Sequence, residues 1–409
     1  MDFADTAEEA AFRAEVRAFL EANAKLRDET KQVNYRGHIS DEEIARAKVW
    51  QAKKASAGYA AIGWPKKWGG REAPSIMSVI YHQEEAKFDV PTGVLEVGLG
   101  MCLPTMLAYA TEEQLRTFIP PALRGEHIWC QLFSEPAAGS DMAGIRTRAE
   151  RDGDKWVING QKIWNSGAHH SDYGILLARS NPNVPKHKGL TFFFLDMKTP
   201  GVEVHPIHQI TGAHRFSEVF LTDVRIPDSQ RLGKVGDGWR VALTTLMNER
   251  VVGGTIDAWP NPRDLLNLAR IAEIDGQPAI KNAAVREKLA DWYVQSQGLK
   301  VGLFRTLTAV SQGKEPGPEN SIGKLVKATM SQDIASYGLD LLDAAGLVFD
   351  PAFSPLNMMF QEAYLSSPGG RIAGGTDEIL RNIIAERVLG MPSDVRVDKD
   401  VPFKQIPHR

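Results

Sequence analysis

The chain has 409 residues, 43% of them hydrophobic and 24% charged, with 48 basic residues against 51 acidic ones. At roughly 150 residues per domain, this length predicts two or three domains and a core that needs no disulfide or metal staple. The balanced charge leaves no electrostatic footprint for nucleic acid, and two cysteines, Cys102 and Cys130, exclude a disulfide scaffold or a CxxC site and point to a reducing, cytoplasmic setting.

Residues 1–20 are acidic and amphipathic and lack the apolar stretch of a secretion signal. Phe12, Val16, Phe19 and Leu20 recur at helical spacing and predict a helix over 3–22; the pattern returns over 41–57 and 76–88. Gly63-Trp64-Pro65 through Gly69-Gly70 reads as a loop. Residues 97–110 are uncharged, but the run is too short to span a bilayer and contains Pro104 and two glycines. It predicts a buried core helix, and no membrane partner is expected. From about His127 to Lys234 the period becomes two, in Lys155-Trp-Val-Ile-Asn, Tyr173-Gly-Ile-Leu-Leu-Ala, Leu190-Thr-Phe-Phe-Phe-Leu and Glu218-Val-Phe-Leu. Turn signals at Asp152-Gly153-Asp154, Asn159-Gly160 and Thr199-Pro200-Gly201 separate these strands. The helical period then returns, with helices predicted over 239–255, 261–273, 280–312, 319–345 and 375–389. The expected organisation is multi-domain α and β: a helical domain over 1–126, a β domain over 127–235 and a helical domain over 236–409.

Several familiar sites fail on inspection. Gly317 to Lys324 resembles a phosphate loop, but its first glycine is one position early and Leu325 replaces the Mg²⁺-binding hydroxyl. His169-His170 and the His205/His208 pair have no cysteine or carboxylate at ligand spacing, so no metal is expected. Two other segments carry more. Phe133-Ser-Glu-Pro-Ala-Ala-Gly-Ser-Asp-Met-Ala-Gly144 surrounds two serines with small residues, so its backbone could approach a phosphate or a ring edge. Gln161-Lys-Ile-Trp-Asn-Ser-Gly167 places an indole beside a hydroxyl at a strand end.

Taken together, these segments make the chain resemble the acyl-CoA dehydrogenases. Ser134 to Asp141 matches that family's Ser/Thr-Glu-x-x-Gly/Ala-Gly-Ser-Asp stretch, and Asn159 to Ser166 matches its Asn-Gly-x-Lys-x-Trp-x-Ser/Thr stretch. Trp64-Pro65 with Trp68-Gly69-Gly70, and Gly375-Thr376-x-Glu378-Ile379, match near the two ends. The resemblance implies a middle β-barrel between helical domains, with FAD as cofactor and an acyl-CoA thioester as substrate. It also implies that Gln131, Leu132, Phe133 and Ser134 line the flavin, with Gly139, Ser140, Trp164, Asn165 and Ser166 in the same contact stretches. Ser140 would reach the CoA part of the substrate, and Thr376 and Glu378 the nucleotide half of FAD.

The family's reaction needs a carboxylate to take the α-proton while the β-hydrogen leaves as hydride. Many members place that Glu directly before the Gly-Thr turn, where this sequence has Gly374. Others place it on the first helix after the β domain, and Asn248-Glu249-Arg250 stands there. The resemblance therefore implies Glu249 as base and Arg250 as a CoA contact. Glu249 shares a helix face with Ala242, Thr245, Val252 and Gly253, small neighbours expected to leave room for substrate. A further departure concerns FAD. Ala272-Glu-Ile-Asp-Gly276 replaces the Arg-bearing stretch that a neighbouring subunit supplies in homo-oligomers, Ala283 replaces its Gln, and Leu342-Asp-Ala-Ala-Gly346 replaces Gln-x-x-Gly-Gly. The expected assembly is a heterotetramer with a homologous subunit, resembling the steroid side-chain acyl-CoA dehydrogenases, with an electron-transferring flavoprotein as acceptor. A flavin monooxygenase or oxidase on the same fold and a non-catalytic partner subunit are the alternatives.

Overall fold

Three Ser/Thr-x-x-Glu/Gln boxes start helices in the first part of the chain. In the computed structural model, which describes residues 5–27, 39–91, 93–253, 259–311 and 317–407, Thr6 with Glu9 caps α1 (Ala7–Asn23). Ser40 with Glu43 caps α2 (Asp41–Ser56), and Thr111 with Gln114 caps α5 (Glu112–Leu123). Each box satisfies backbone N–H groups that the first turn leaves open. Between them lie α3 (Ser75–Glu85) and α4 (Leu103–Tyr109). The uncharged run at 97–110 is not one α-helix: it opens as a π turn over Gly98–Cys102 before α4. Gly98 packs so closely on β1 (Trp129–Leu132) that an added Cβ would sit 3.2 Å from that of Trp129. The absence of a side chain lets the turn press against the sheet.

The segment after residue 127 forms one mixed sheet of eight strands. Its members are β1, β2 (Arg148–Asp152), β3 (Lys155–Ser166), β4 (Tyr173–Arg179), β5 (Leu190–Asp196), β6 (Val202–Pro206), β7 (Phe216–Pro227) and β8 (Arg231–Leu232). The order is β6-β7-β3-β2-β4-β5-β8, with β1 added in parallel beside β4. Strand alternation sorts the core. Leu176, Phe193, Leu195, Trp156, Ile158, Val219 and Val224 enclose one apolar cluster, so the sheet curls around a core of its own. Ile175, Leu177, Phe192 and Phe194 point the other way and bury Cys102, Leu103, Met106 and Ile119 of the helical segment. Each large side chain so buried contributes roughly 1.5–3 kcal/mol.

Two compact units result. The first comprises the helices and sheet above, α6 (Gly238–Gly253) as far as residue 252, and the final stretch from Asp394. The second runs from Gly253 to Ser393 and contains α7 (Pro262–Ile271), α8 (Ala283–Ser311), α9 (Asn320–Leu342), α10 (Met359–Ile372) and α11 (Asp377–Ile383). A short hairpin, β9 (Glu273–Ile274) with β10 (Gln277–Pro278), follows α7. In this unit Leu265, Leu268, Trp292, Ile334 and Phe360 form the core. Gly338 is required there, because a Cβ would lie 2.0 Å from the Phe360 ring. The sequence pattern overlooks α10, whose Pro368-Gly369-Gly370 is a helix-breaking signature. The helix expected over 375–389 starts instead at Asp377, capped by Thr376, and becomes a π turn over Ile384–Val388. Among the described residues no helix is long and apolar enough to cross a membrane.

The helical segment contains a charged lock. Glu84 of α3 is fully buried and accepts from Arg13 and Arg17 of α1 and from Lys87. Burial alone would raise its pKa, but hydrogen bonds from Arg17, Lys87 and Arg13 outweigh that and hold it at about 2. A folded-state value below the unfolded one stabilises the fold above the unfolded pKa and ceases to do so as pH falls toward 2. Glu84→Gln should therefore cost about 2 kcal/mol at pH 7, since the half-exposed Arg17 and Lys87 are partly screened. Urea unfolding of both proteins from pH 7 to 3 should show the gap closing below pH 4.5; a gap independent of pH would remove Glu84 as its source.

Candidate active site

The two motif segments lie side by side, joined by a buried ion pair. Lys162 of β3 is fully buried, and its ammonium donates to the Phe133 carbonyl at 3.0 Å and to Glu135 Oε1 at 2.8 Å. The Glu135 carboxylate also accepts the backbone N–H groups of Arg146 and Thr147, at 2.6 and 2.9 Å. Burial would raise Glu135, but the Lys162 charge and these donors hold it below the usual carboxylate range; burial pulls Lys162 down against the pull of Glu135. Ile163 N–H donates to the Ser134 carbonyl, and the Asn165 amide donates to the Gln131 carbonyl. The loop after β1 is thus fixed along the end of β3. Neither member of the ion pair is a site residue expected from sequence, yet Lys162 falls on the inward parity of β3 with Trp156 and Ile158. A lysine at such a position signals a buried partner.

A β-bulge ends β3. The register passes from Lys162 opposite Val219 to Asn165 opposite Ser217, so Ile163 and Trp164 together face Glu218. Trp164 adopts a left-handed backbone, φ +61°, at a cost of about 1–2 kcal/mol. Its indole is 56% exposed and meets the rim of Phe216 edge-on at 6.0 Å. A strained, exposed indole is unlike the core tryptophan that composition alone would favour. Ser166 is exposed and Ser134 is half-buried, its carbonyl bonded by Ile163 N–H.

The remaining expected contacts divide by burial. Leu132 and Phe133 point into the cores on opposite faces of the sheet, so only their backbone is available to a ligand. Asn165 is buried, with its Oδ1 lacking a hydrogen-bond partner among the described residues. Gly139 and Ser140 are exposed at the far corner of the loop. Asp141 follows and pairs with Lys186 at 2.9 Å. His169 Nδ1 lies 3.0 Å from the Ser217 hydroxyl, and among the described residues no cluster of His, Cys, Asp or Glu could hold a metal.

Glu249 and Arg250 lie on the backbone of α6, and their side chains are outside the described residues. The start of their helix face is closed rather than roomy. Ala242 and Thr245 are fully buried, and Thr245 Oγ1 is hydrogen-bonded to Thr105 of α4 at 2.9 Å. Ala242 and Thr245 therefore offer a ligand no open surface.

In the other unit, the Thr376 hydroxyl accepts from Ile379 N–H as the cap of α11, and Glu378 is exposed in its first turn. An exposed carboxylate suits hydroxyl donors of a ribose better than a pyrophosphate. Gly374 and Gly375 both have left-handed φ, +63° and +93°. A glutamate at 374 would carry the strain that glycine avoids. The Asp275-Gly276 pair, at φ +52° and +72°, closes the β9–β10 hairpin as a tight turn. Glu273, Asp275 and Asp343 are all exposed, so these segments present carboxylates, which repel a pyrophosphate.

Comparison with known proteins agrees along the chain. Residues 6–126, 130–224 and 236–389 match the family descriptions "Acyl-CoA dehydrogenase, N-terminal domain", "middle domain" and "C-terminal domain". The acyl-CoA dehydrogenase FadE34 of Mycobacterium tuberculosis is 38% identical over 389 residues, 95% of this chain but only 50% of that protein. The acyl-CoA dehydrogenase IpdE1 of the same organism is 36% identical over 388 residues, covering 94% of this chain and 98% of its own length. Among solved structures, the Tcur3481–Tcur3483 steroid acyl-CoA dehydrogenase superposes with a TM-score of 0.79 at 27% identity, over 96% of this chain and all of that one.

Proposed function

Because the chain belongs to the acyl-CoA dehydrogenase family, we propose that it catalyses FAD-dependent α,β-dehydrogenation of a bulky acyl-CoA thioester, with Glu249 as the base. The observation carrying this reading is the exposed, left-handed Trp164 between Ser134 and Ser166. Backbone strain is retained where a site needs a side chain in one place. An exposed indole on a strand end that also carries Ser166 and the unsatisfied Asn165 Oδ1 suits the isoalloxazine of FAD. When bound, FAD supplies the hydride acceptor.

The chain's own groups supply the rest. Glu249 removes the α-proton, and Arg250 and Ser140 hold the CoA portion. The Lys162–Glu135 pair holds the Ser134 loop against the end of β3, so the residues that would meet the flavin ring are set in place before substrate enters. The β9–β10 hairpin and the turn at Asp343 do not fit the pyrophosphate. This supports a heteromer in which a homologous subunit contributes the cationic clamp. The paired designation of the Tcur3481–Tcur3483 steroid enzyme supports the same assembly and a steroid-like acyl group. An electron-transferring flavoprotein would reoxidise the enzyme. Two buried free thiols, Cys102 and Cys130, suit the cytoplasm.

The test is the visible spectrum of the purified chain, titrated anaerobically with acyl-CoA thioesters with and without an Arg-bearing homologous partner. The expected result is low flavin occupancy alone, several-fold higher occupancy with the partner, and bleaching by a sterol side-chain thioester. Full occupancy alone would overturn the shared site, and a loaded complex that no thioester bleaches would overturn the dehydrogenase.

A further inference from the structure

The chain leaves its first unit at Gly253 and returns to it at Asp394. The returning segment lies on the loop between β4 and β5. Phe403 N–H donates to the Val184 carbonyl at 2.9 Å, Lys404 N–H donates to the Pro182 carbonyl at 3.0 Å, and Pro402 bridges to Pro185. Two side chains of the middle segment then connect this tail to the serine-bearing motif. Arg179, buried at the end of β4, donates to the carbonyls of Ile145 and Ala143 just after the motif and to that of Lys186 in the loop. The Phe403 ring covers its guanidinium, 3.5 Å from guanidinium carbon to ring centroid. Lys186 is mostly buried, and its ammonium is shared between Asp398 of the tail at 2.6 Å and Asp141 of the motif at 2.9 Å. The motif corner is therefore held from behind by two cations, each engaged on its other side by the tail.

This arrangement is more than packing area. A guanidinium covered by an aromatic face is attracted to it and shielded from water, which strengthens its bonds to the carbonyls of 143 and 145. An ammonium between two carboxylates is fixed in direction as well as in charge. Ser140 and Asp141 are the exposed end of the loop, so their position depends on these anchors. By contrast, Ser134 at the other end is anchored separately, through Lys162 and Glu135.

We propose that residues 394–407 act as a strap whose Asp398 and Phe403 are positioning residues, setting the Ser140–Asp141 corner through Lys186 and Arg179 and so the affinity for coenzyme A. The strap acts on the nucleotide-bearing end of the substrate and leaves the flavin wall unaffected. This rests on the reading of Ser140 as a CoA contact.

The test uses the flavin-loaded protein with whatever partner it requires, and coenzyme A as the probe. Asp398→Asn combined with Phe403→Ala should weaken coenzyme A binding about tenfold by calorimetry. Affinity for pantetheine, which lacks the nucleotide, and the flavin absorption band should stay unchanged. Asp398→Glu with Phe403→Tyr should restore most of the affinity, because charge and ring return. Equal weakening for both ligands, or flavin lost in proportion, would reduce the strap to a stabilising element and overturn the proposal; so would unchanged affinity. Ser140→Ala is the benchmark. If it weakens coenzyme A while the strap variants do not, the strap alone is wrong; if it has no effect while they do, the contact is made elsewhere on the strapped corner and only the reading of Ser140 falls.

Discussion

Glu249→Gln should slow reduction of the bound flavin by acyl-CoA about 10³-fold, within the range for loss of a positioned general base. Glutamine keeps the size and the hydrogen-bonding shape of the side chain and removes only its capacity to accept the α-proton. The helix beneath it is secured independently: Ala242 and Thr245 are buried, Thr245 bonds Thr105, and Thr244 bonds Tyr109 at 2.9 Å. Flavin content and spectrum should therefore stay at the wild-type level. Rapid-mixing absorbance with a reactive thioester reads the effect directly. A rate within tenfold of wild type would place the base elsewhere. Gly374 is no alternative in this chain, for it has no carboxylate and adopts a left-handed backbone.

The second large effect concerns Lys162. Lys162→Met should destabilise the first unit by about 3–5 kcal/mol, because it strands a buried carboxylate whose partner charge is gone. Adding Glu135→Gln should recover part of that loss. No unpaired charge then remains, and the glutamine oxygen still accepts one of the N–H groups of Arg146 and Thr147, while the other, bonded to the second carboxylate oxygen, loses its acceptor. Urea unfolding of the two single variants and the double variant measures the coupling. If Lys162→Met were as stable as wild type, or if the double variant lost the sum of the singles, the pair would not be the clasp between the two motif segments.

Much of this architecture is legible in the sequence, for physical reasons. The capping boxes at Thr6, Ser40 and Thr111 are local, and so is the alternation of β4 and β5, so windows of a few residues contain the information. What was hidden depends on partners distant in sequence. Pro368-Gly369-Gly370 argues locally against α10, and only burial of Phe360 and Ala363 in the second unit overrides it. The motif serines and Trp164 stood out as residue types, but the bulge that turns the indole outward follows from the register of β3 against β7, some fifty residues on. Nothing local in the sequence marks Arg179, which follows the alternating run Tyr173 to Ala178. Its role depends on a ring more than two hundred residues later.

That separation has a consequence for synthesis. In chain order, the unit spanning 253–393 is an insertion into the other unit, which is completed only when the tail emerges. Local helices and the sheet can form as the ribosome releases them, but the pairing of Phe403 with Arg179 closes one of the longest loops in the molecule. The motif corner therefore lacks these anchors until residues 394–407 have been made. A chain lacking residues 394–407 would contain the whole signature and yet present it without its backing, which couples formation of the motif corner to that distant segment.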